Sequence, residues 1–354
     1  MAPMRFFLVT WRRPKFLQSH WTSSASARLR NRIRRWLEGS RAVGWAVGLA
    51  IPALATLERT ADDLLVQTSQ GVVTVGIHRA KGGAITWLSW TGHPENVVNH
   101  HDPGRLVQQS YYAGRHLDRR SEGQHAAWSP WAWNPIQGGG VSSWARVTKL
   151  ERLGQSTLFC ETIPKLWDMP DEEAEAIMRQ WTGFEEGLAN TVVVRCEFIS
   201  KRRENDRWGP ARPCPQEVPA CYFVRSFHRF RTYLGDGKWR EETPPLGPPW
   251  SRTEPPRRAM AVFDAQGRGV AVFSPAGDRH WNFGPHGSAG KSGPTTGPCV
   301  HIAPITMVPM GPRSVFRYRF WLVVGDESQL SATLDRLWQN YSQERGEFVA
   351  TAPD

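Results

Sequence analysis

Between Asn96 and Gly140 the chain concentrates side chains suited to binding and reacting rather than packing. Asn99, His100, His101, Asp102 and Arg105 come first, then Gln108, Gln109, Ser110, Tyr111 and Tyr112, and finally Trp128, Trp131, Trp133, Asn134 and Gln137. Amides supply donors and acceptors together, a guanidinium supplies a planar fork of donors, and indoles supply flat apolar faces. A pyranose presents hydroxyls around its edge and C–H faces above and below. The inventory therefore predicts a sugar cleft held by Asn99, Arg105, Gln108, Trp131, Trp133, Asn134 and Gln137. His100 has Asp102 at hand to orient its imidazole for proton transfer. Tyr112 is a further candidate for moving a proton.

Each residue also has a bland reading. A lone histidine in a β protein is usually structural, so His78, His93, His125 and His301 are given no role. His228 differs because a strand over Tyr222–Phe230 would place it on one face with Tyr222, Val224, Ser226 and Phe230, where it would serve as a general acid. Trp87, Trp90, Trp181 and Trp321 suit the core, whereas Trp128, Trp131 and Trp133 stand among Pro, Ser and Asn and suit a cleft wall. The cluster from His280 to His286 would form an opposite wall or a surface turn. Asp102, Glu161, Asp168, Glu185 and Glu186 are available as carboxylates, without a diagnostic pair among them. No spacing resembles a zinc site, so neither metal nor cofactor is expected.

The elements that must hold these groups are strands. Val192, Val194, Cys196 and Phe198 alternate with Arg195 and Glu197, and Phe316, Tyr318, Phe320, Leu322 and Val324 alternate with Arg317 and Arg319. Period two of this kind reads as half-buried antiparallel strand. Hairpins are expected between Met260–Phe263 and Val270–Phe273, between Met178–Trp181 and Val192–Phe198, and between Val72–His78 and Ala84–Trp90. Long loops are expected at Arg202–Pro219, Glu241–Arg258 and Gly284–Pro298. One helix is expected over residues 326–344, opening at Asp326 with Gln329 as capping-box partner and carrying Leu330, Leu334, Leu337, Trp338 and Tyr341 on one face. The fold class is all-β: a large antiparallel sandwich with one C-terminal helix, a single domain over residues 56–354.

The chain has 354 residues and a formal net charge of +11. Nine of those charges fall in residues 1–55, where ten Lys/Arg face the single acid Glu38. The remainder is close to balance, which argues against a nucleic-acid partner. The basic stretch precedes a short apolar run, Ala42–Pro52, and then Ala53-Leu54-Ala55, the three parts of a secretory signal. That run is shorter than the roughly 18 apolar residues needed to cross a bilayer. Export to the periplasm or exterior with cleavage after Ala55 is expected, with no transmembrane span in the mature chain; an amphipathic or uncleaved anchor helix is the alternative. Four of the 18 tryptophans (Trp11, Trp21, Trp36, Trp45) lie in this segment. The many that remain on a near-neutral body favour carbohydrate over single-stranded nucleic acid, which needs a basic groove. All five cysteines lie beyond the leader. Cys214 and Cys221 are the expected disulfide pair, with Cys160 and Cys196 buried as thiols.

The succession Gly82-Gly83-Ala84-Ile85, an Asn-rich turn, the Asp102, Gly104, Arg105 element and later antiparallel strands resembles the N-terminal half of galactose mutarotase-like proteins. The resemblance would span about residues 60–325 and rests on short motifs. It implies a β-supersandwich, a fold shared with domains of polysaccharide lyases. In the epimerases of that superfamily a histidine acid and a late glutamate base act on the anomeric hydroxyl and ring oxygen. His228 would correspond to the histidine, while no strand-borne glutamate stands out. Three functions therefore remain open. One is an exported carbohydrate-active enzyme with His100 or His228 moving a proton. Another is a lyase acting by β-elimination with Tyr111 or Tyr112 as base, and the last is a non-catalytic sugar-binding module.

Overall fold

Alternation of large apolar and polar residues dictates two large antiparallel sheets packed face to face. The computed structural model describes residues 63–67, 70–100, 104–139, 144–169, 171–287 and 299–350. Edge to edge, the seven-stranded sheet runs Lys165–Leu166, Pro135–Ile136, Gln108–Ser110, Cys214–Val224, Cys299–Val308, Trp281–His286 and Ser251–Thr253. The ten-stranded sheet runs Lys238–Glu242, Arg229–Gly235, Ala259–Phe263, Arg268–Phe273, Val315–Asp326, Thr191–Ser200, Ala176–Phe184, Thr157–Ile163 and Arg146–Leu153, with Glu347–Val349 added to Val315–Asp326. A three-stranded sheet (Asp63–Gln67, Val73–His78, Ile85–Trp90) and a two-stranded ribbon (Ala113–Leu117 with Trp131–Trp133) complete the β structure. The protein is all-β, as its periodicity implies.

The main core lies between the large sheets. Val192, Val194, Cys196 and Phe198 enter it from one strand, and Phe316, Tyr318, Phe320, Leu322 and Val324 from its neighbour. A second, smaller core lies on the outer face of the ten-stranded sheet, where Leu330, Leu334 and Leu337 of the helix Glu327–Tyr341 cover Phe263, Phe273 and Trp321. The helix starts as expected: the Asp326 side chain accepts from Gln329 N at 2.9 Å, and Gln329 Oε1 accepts from Asp326 N at 2.9 Å. It ends at Tyr341, three residues short of the expected boundary.

All three expected hairpins are present as paired strands. The Gly82-Gly83 turn between Val73–His78 and Ile85–Trp90 is a packing requirement. Both residues have positive φ, and a Cβ would lie 1.8 Å from the Gln137 carbonyl at Gly82 and 2.2 Å from Cys160 Sγ at Gly83.

Other expectations need correction. Arg202–Pro219 is not loop throughout, because the long strand Cys214–Val224 begins inside it. No strand joins Tyr222 to Phe230, since the chain turns at Arg225 and Ser226. Cys214 and Cys221 are not bridged. They lie on one strand, and all five cysteines are buried thiols. Trp181 is half-buried on the outer face of its sheet rather than in the core. His101, Asp102 and much of Gly284–Pro298 lie outside the described residues.

Candidate active-site cavity

The outer face of the seven-stranded sheet, turned away from the ten-stranded sheet, forms the floor of a cavity. Alternation along one short strand sets the two faces. Tyr111 packs into the core, its ring centroid 4.3 Å from Phe198 and 6.2 Å from Phe316, while Gln108, Ser110 and Tyr112 take the opposite side and line the cavity. The row continues across the sheet, with Ile136 paired to Ser110 and Ser110 to Glu217.

Strand Cys214–Val224 then breaks its own period. Glu217 faces Ile305 across the ladder, whereas Cys221 faces Ile302, so four steps on one strand oppose three on the other. This bulge restores Glu217 and Tyr222, an odd number of positions apart, to the same face, and both line the cavity. Re-aiming side chains is what a bulge does to an otherwise regular strand.

The cavity has a volume of about 180 Å3. Its walls are aromatic, formed by Trp128, Trp131, Trp167 and Trp250. Trp128 meets Trp131 edge to face at 5.1 Å and Trp167 at 5.6 Å, which braces the three indoles mutually. The Arg105 guanidinium lies 4.8 Å from the Trp167 ring centroid, within cation–π range. His286, at the end of Trp281–His286, contributes from the opposite side, 5.9 Å from Trp250 and 6.5 Å from Tyr222 between ring centroids.

The amides that look most sugar-like in sequence are satisfied within the protein. Gln108 donates to Gly104 O at 2.5 Å and accepts from Gly138 N at 2.9 Å. Asn134 donates to Tyr111 O at 2.7 Å and accepts from Trp131 Nε1 at 3.2 Å. Gln137, fully buried, accepts from Gln109 N at 3.1 Å, and Asn99 donates to Arg105 O at 2.8 Å. A buried amide must be paired or it destabilises the fold. These residues therefore brace the loops that carry Arg105 and Trp131.

Glu217 and His301 form a carboxylate–imidazole pair, with His301 Nε2 3.5 Å from Glu217 Oε1. His301 is fully buried, and its Nδ1 sits 3.2 Å from the Cys221 carbonyl. A carbonyl can only accept, so Nδ1 carries a proton and Nε2 is the nitrogen turned to the carboxylate. The pair sets a carboxylate and an imidazole side by side at the edge of the cavity. Tyr222 stacks on His301 at 4.3 Å and Trp250 covers it at 4.7 Å, leaving Glu217 as the member that reaches the cavity.

The Tyr112 phenol is raised well above its ordinary pKa, first by burial and then by the Glu217 carboxylate, against the lowering effects of Ser110 and Arg105. It is held neutral, as a donor. Its backbone is fixed by Gln216, which accepts from Tyr112 N at 2.8 Å and donates to Tyr112 O at 2.7 Å.

The structure thus brings Arg105, Gln108, Tyr112, Trp131 and Asn134 to one cavity. Asn99, Trp133 and Gln137 are not among its lining residues, and Asn99 and Gln137 are fully buried. Trp133 is 2% exposed and packs on Phe198, with the Arg202 guanidinium 5.1 Å from its ring. His100 is exposed and pairs through Nδ1 with Val98 O at 3.1 Å, outside the cavity. His228 is exposed on the turn before Arg229, with Nδ1 3.0 Å from Ser226 O, because the strand that would have turned it inward ends at Val224. Sequence reasoning missed Glu217, Tyr222, Trp167, Trp250 and His301. Glu217 lies inside the proline-rich stretch Arg202–Pro219, which reads as loop.

No family model matches the sequence, and no curated protein matches it. The chain is similar in fold to a galactose mutarotase related enzyme from Lactobacillus acidophilus, at 10% identity and a TM-score of 0.44 over 75% of this chain and 98% of that one. It is also similar to a galactose mutarotase-like protein from Lactobacillus casei, at 8% identity and a TM-score of 0.43 over 74% of this chain and all of that one. A third likeness is to a polysaccharide lyase, at 10% identity and a TM-score of 0.42 over 74% of this chain and 34% of that one.

Proposed function

We propose that the protein binds a single sugar unit in this cavity and moves protons between its oxygens, with Glu217 as the proton acceptor. The observation that carries the reading is the Glu217–His301 pair opening into a pocket walled by four indoles. Aromatic faces take the C–H faces of a pyranose, Arg105 and the neutral Tyr112 donate to its hydroxyls, and Glu217 accepts a hydroxyl proton. His286 is placed to return a proton to a second oxygen of the ring. Anomeric interconversion is the reaction these parts suit: Glu217 takes the proton of the anomeric hydroxyl while His286 gives one to the ring oxygen, the C1–O5 bond breaks to the open-chain aldehyde, and after rotation about C1–C2 both proton transfers reverse as the bond re-forms on the other face. His301 acts through Glu217 and is a positioning residue. A Tyr112 phenol that burial keeps protonated is a donor and not available as a base, which counts against β-elimination through this residue.

Export with cleavage after Ala55 remains our proposal for where the protein acts, and its residues lie outside those described. No helix among the described residues is long and apolar enough to cross a membrane. The function is tested by polarimetry of freshly dissolved α-glucose and α-galactose with catalytic amounts of protein. Accelerated equilibration that disappears in Glu217→Gln supports the proposal. Binding without acceleration in the wild-type protein makes the cavity a non-catalytic sugar site.

A further inference from the structure

The helix covers only part of the outer face of the ten-stranded sheet. Over Arg229–Gly235, Ala259–Phe263, Arg268–Phe273 and the C-terminal part of Val315–Asp326, it buries an apolar surface. Over Thr191–Ser200, Ala176–Phe184 and Thr157–Ile163 the helix reaches only as far as Val193, and Arg179, Trp181, Arg195 and Glu197 are among the outward side chains. Phe159, Trp181, Arg195 and Arg319 form one row across four strands, each directly paired with the next. Phe159 and Trp181 meet at 5.0 Å. Two hollows of about 390 and 280 Å3 share Trp181, Arg195 and Arg319, so these three lie in a continuous groove, with the buried Phe159 supporting Trp181 from the side.

The arginines of this face are unequally served. Arg179 pairs with Glu161 at 2.8 Å and Glu197 at 3.0 Å, and Arg317 pairs with Glu197 at 2.5 Å and Glu347 at 3.3 Å. Arg319 is held by Glu344 and stacks within 5.2 Å of Trp321 and 5.0 Å of Tyr341. Arg195 makes no hydrogen bond or ion pair with any described residue, although it lies directly opposite another arginine. Like charges placed opposite each other destabilise a sheet. An anion at Arg195 would relieve this.

We infer that this groove is a second binding site, distinct from the cavity, for a carboxylate-bearing glycan chain, with Arg195 gripping the carboxylate and Trp181 supporting a sugar face. The guanidinium fork matches a planar carboxylate, and the indole beside it matches a C–H face. A peptide is the weaker occupant. The strand bearing Arg195 is flanked on both sides by paired strands, so no backbone edge is open for strand addition.

The test is calorimetric titration of trigalacturonate into the full protein at low salt, compared with uncharged trigalactose and with short poly-glutamate. Trigalacturonate is expected to bind, to weaken at least about tenfold in Arg195→Ala, as for loss of one charge-assisted hydrogen bond, and to recover partly in Arg195→Lys. Trp181→Ala should weaken it as well, whereas Glu217→Gln should leave it unchanged, which separates this site from the cavity. Unchanged unfolding temperatures confirm that the variants fold. Any of three results overturns the inference: no binding of trigalacturonate, equal binding of poly-glutamate, or an Arg195-dependent dimer that assigns the face to a second copy of the chain.

Discussion

The two halves of the cavity floor are built from similar polar residues and treat them in opposite ways. On the side of Gln108–Ser110 and Pro135–Ile136, Gln108, Asn134 and nearby Gln137 close on main-chain groups of the protein. On the side of Cys214–Val224 and Cys299–Val308, Glu217 pairs with the His301 imidazole and, among the described residues, with no other side chain, and it opens into the cavity. An amide-rich stretch is a scaffold when its hydrogen bonds are internal. Chemistry sits where a bulged strand leaves a charged group partly served.

Substitution should separate the halves most sharply at Glu217. Glu217→Gln keeps the shape and removes the proton acceptor, so turnover should fall by about 10²–10⁴-fold with an unchanged melting temperature. Progress curves and thermal melts on one preparation check both. Arg105→Ala should come next, weakening sugar affinity about tenfold through the loss of one charge-assisted donor, as read by calorimetry.

The bracing half should respond in stability instead. Asn134→Ala strands the Tyr111 carbonyl and the Trp131 indole N–H, and should destabilise the fold by about 1–3 kcal/mol in urea titration. An equal loss of stability in Glu217→Gln would erase the contrast between the halves.

A further expectation concerns pH. Tyr111, Tyr112, Tyr222 and Tyr318 all have pKa values raised by burial. Below about pH 10 both folded and unfolded tyrosines keep their protons. Above it the unfolded chain loses protons that the folded protein retains, so stability is full below pH 10 and declines as pH rises further. Thermal melts from pH 8 to 11 should show this loss, and a flat profile would contradict the burial of these phenols. The smallest effects belong to His100→Ala and His228→Ala, which should leave sugar affinity and turnover within experimental scatter.

Much of the fold is legible in the sequence because burial on one face of a strand imposes period two. Val192–Phe198 and Phe316–Val324 declare their faces without ambiguity. The aromatic cavity wall is also legible in Trp128 and Trp131, which stand among turn residues. Glu217 and His301 are not. A bulge shifts the period within Cys214–Val224, and His301 is separated from Glu217 by more than eighty residues that only strand pairing brings together. His228 misled for the complementary reason: a local alternation continues through a turn that tertiary packing inserts at Arg225 and Ser226.

The central claim is that the outer face of the seven-stranded sheet, at Glu217, is where sugar binds. A crystal structure of the protein soaked with galactose tests it most directly. The account predicts one pyranose against the indoles of Trp128, Trp131, Trp167 or Trp250, with a hydroxyl within hydrogen-bond distance of Glu217. Clear density for the sugar elsewhere, with this cavity holding only solvent, would contradict it.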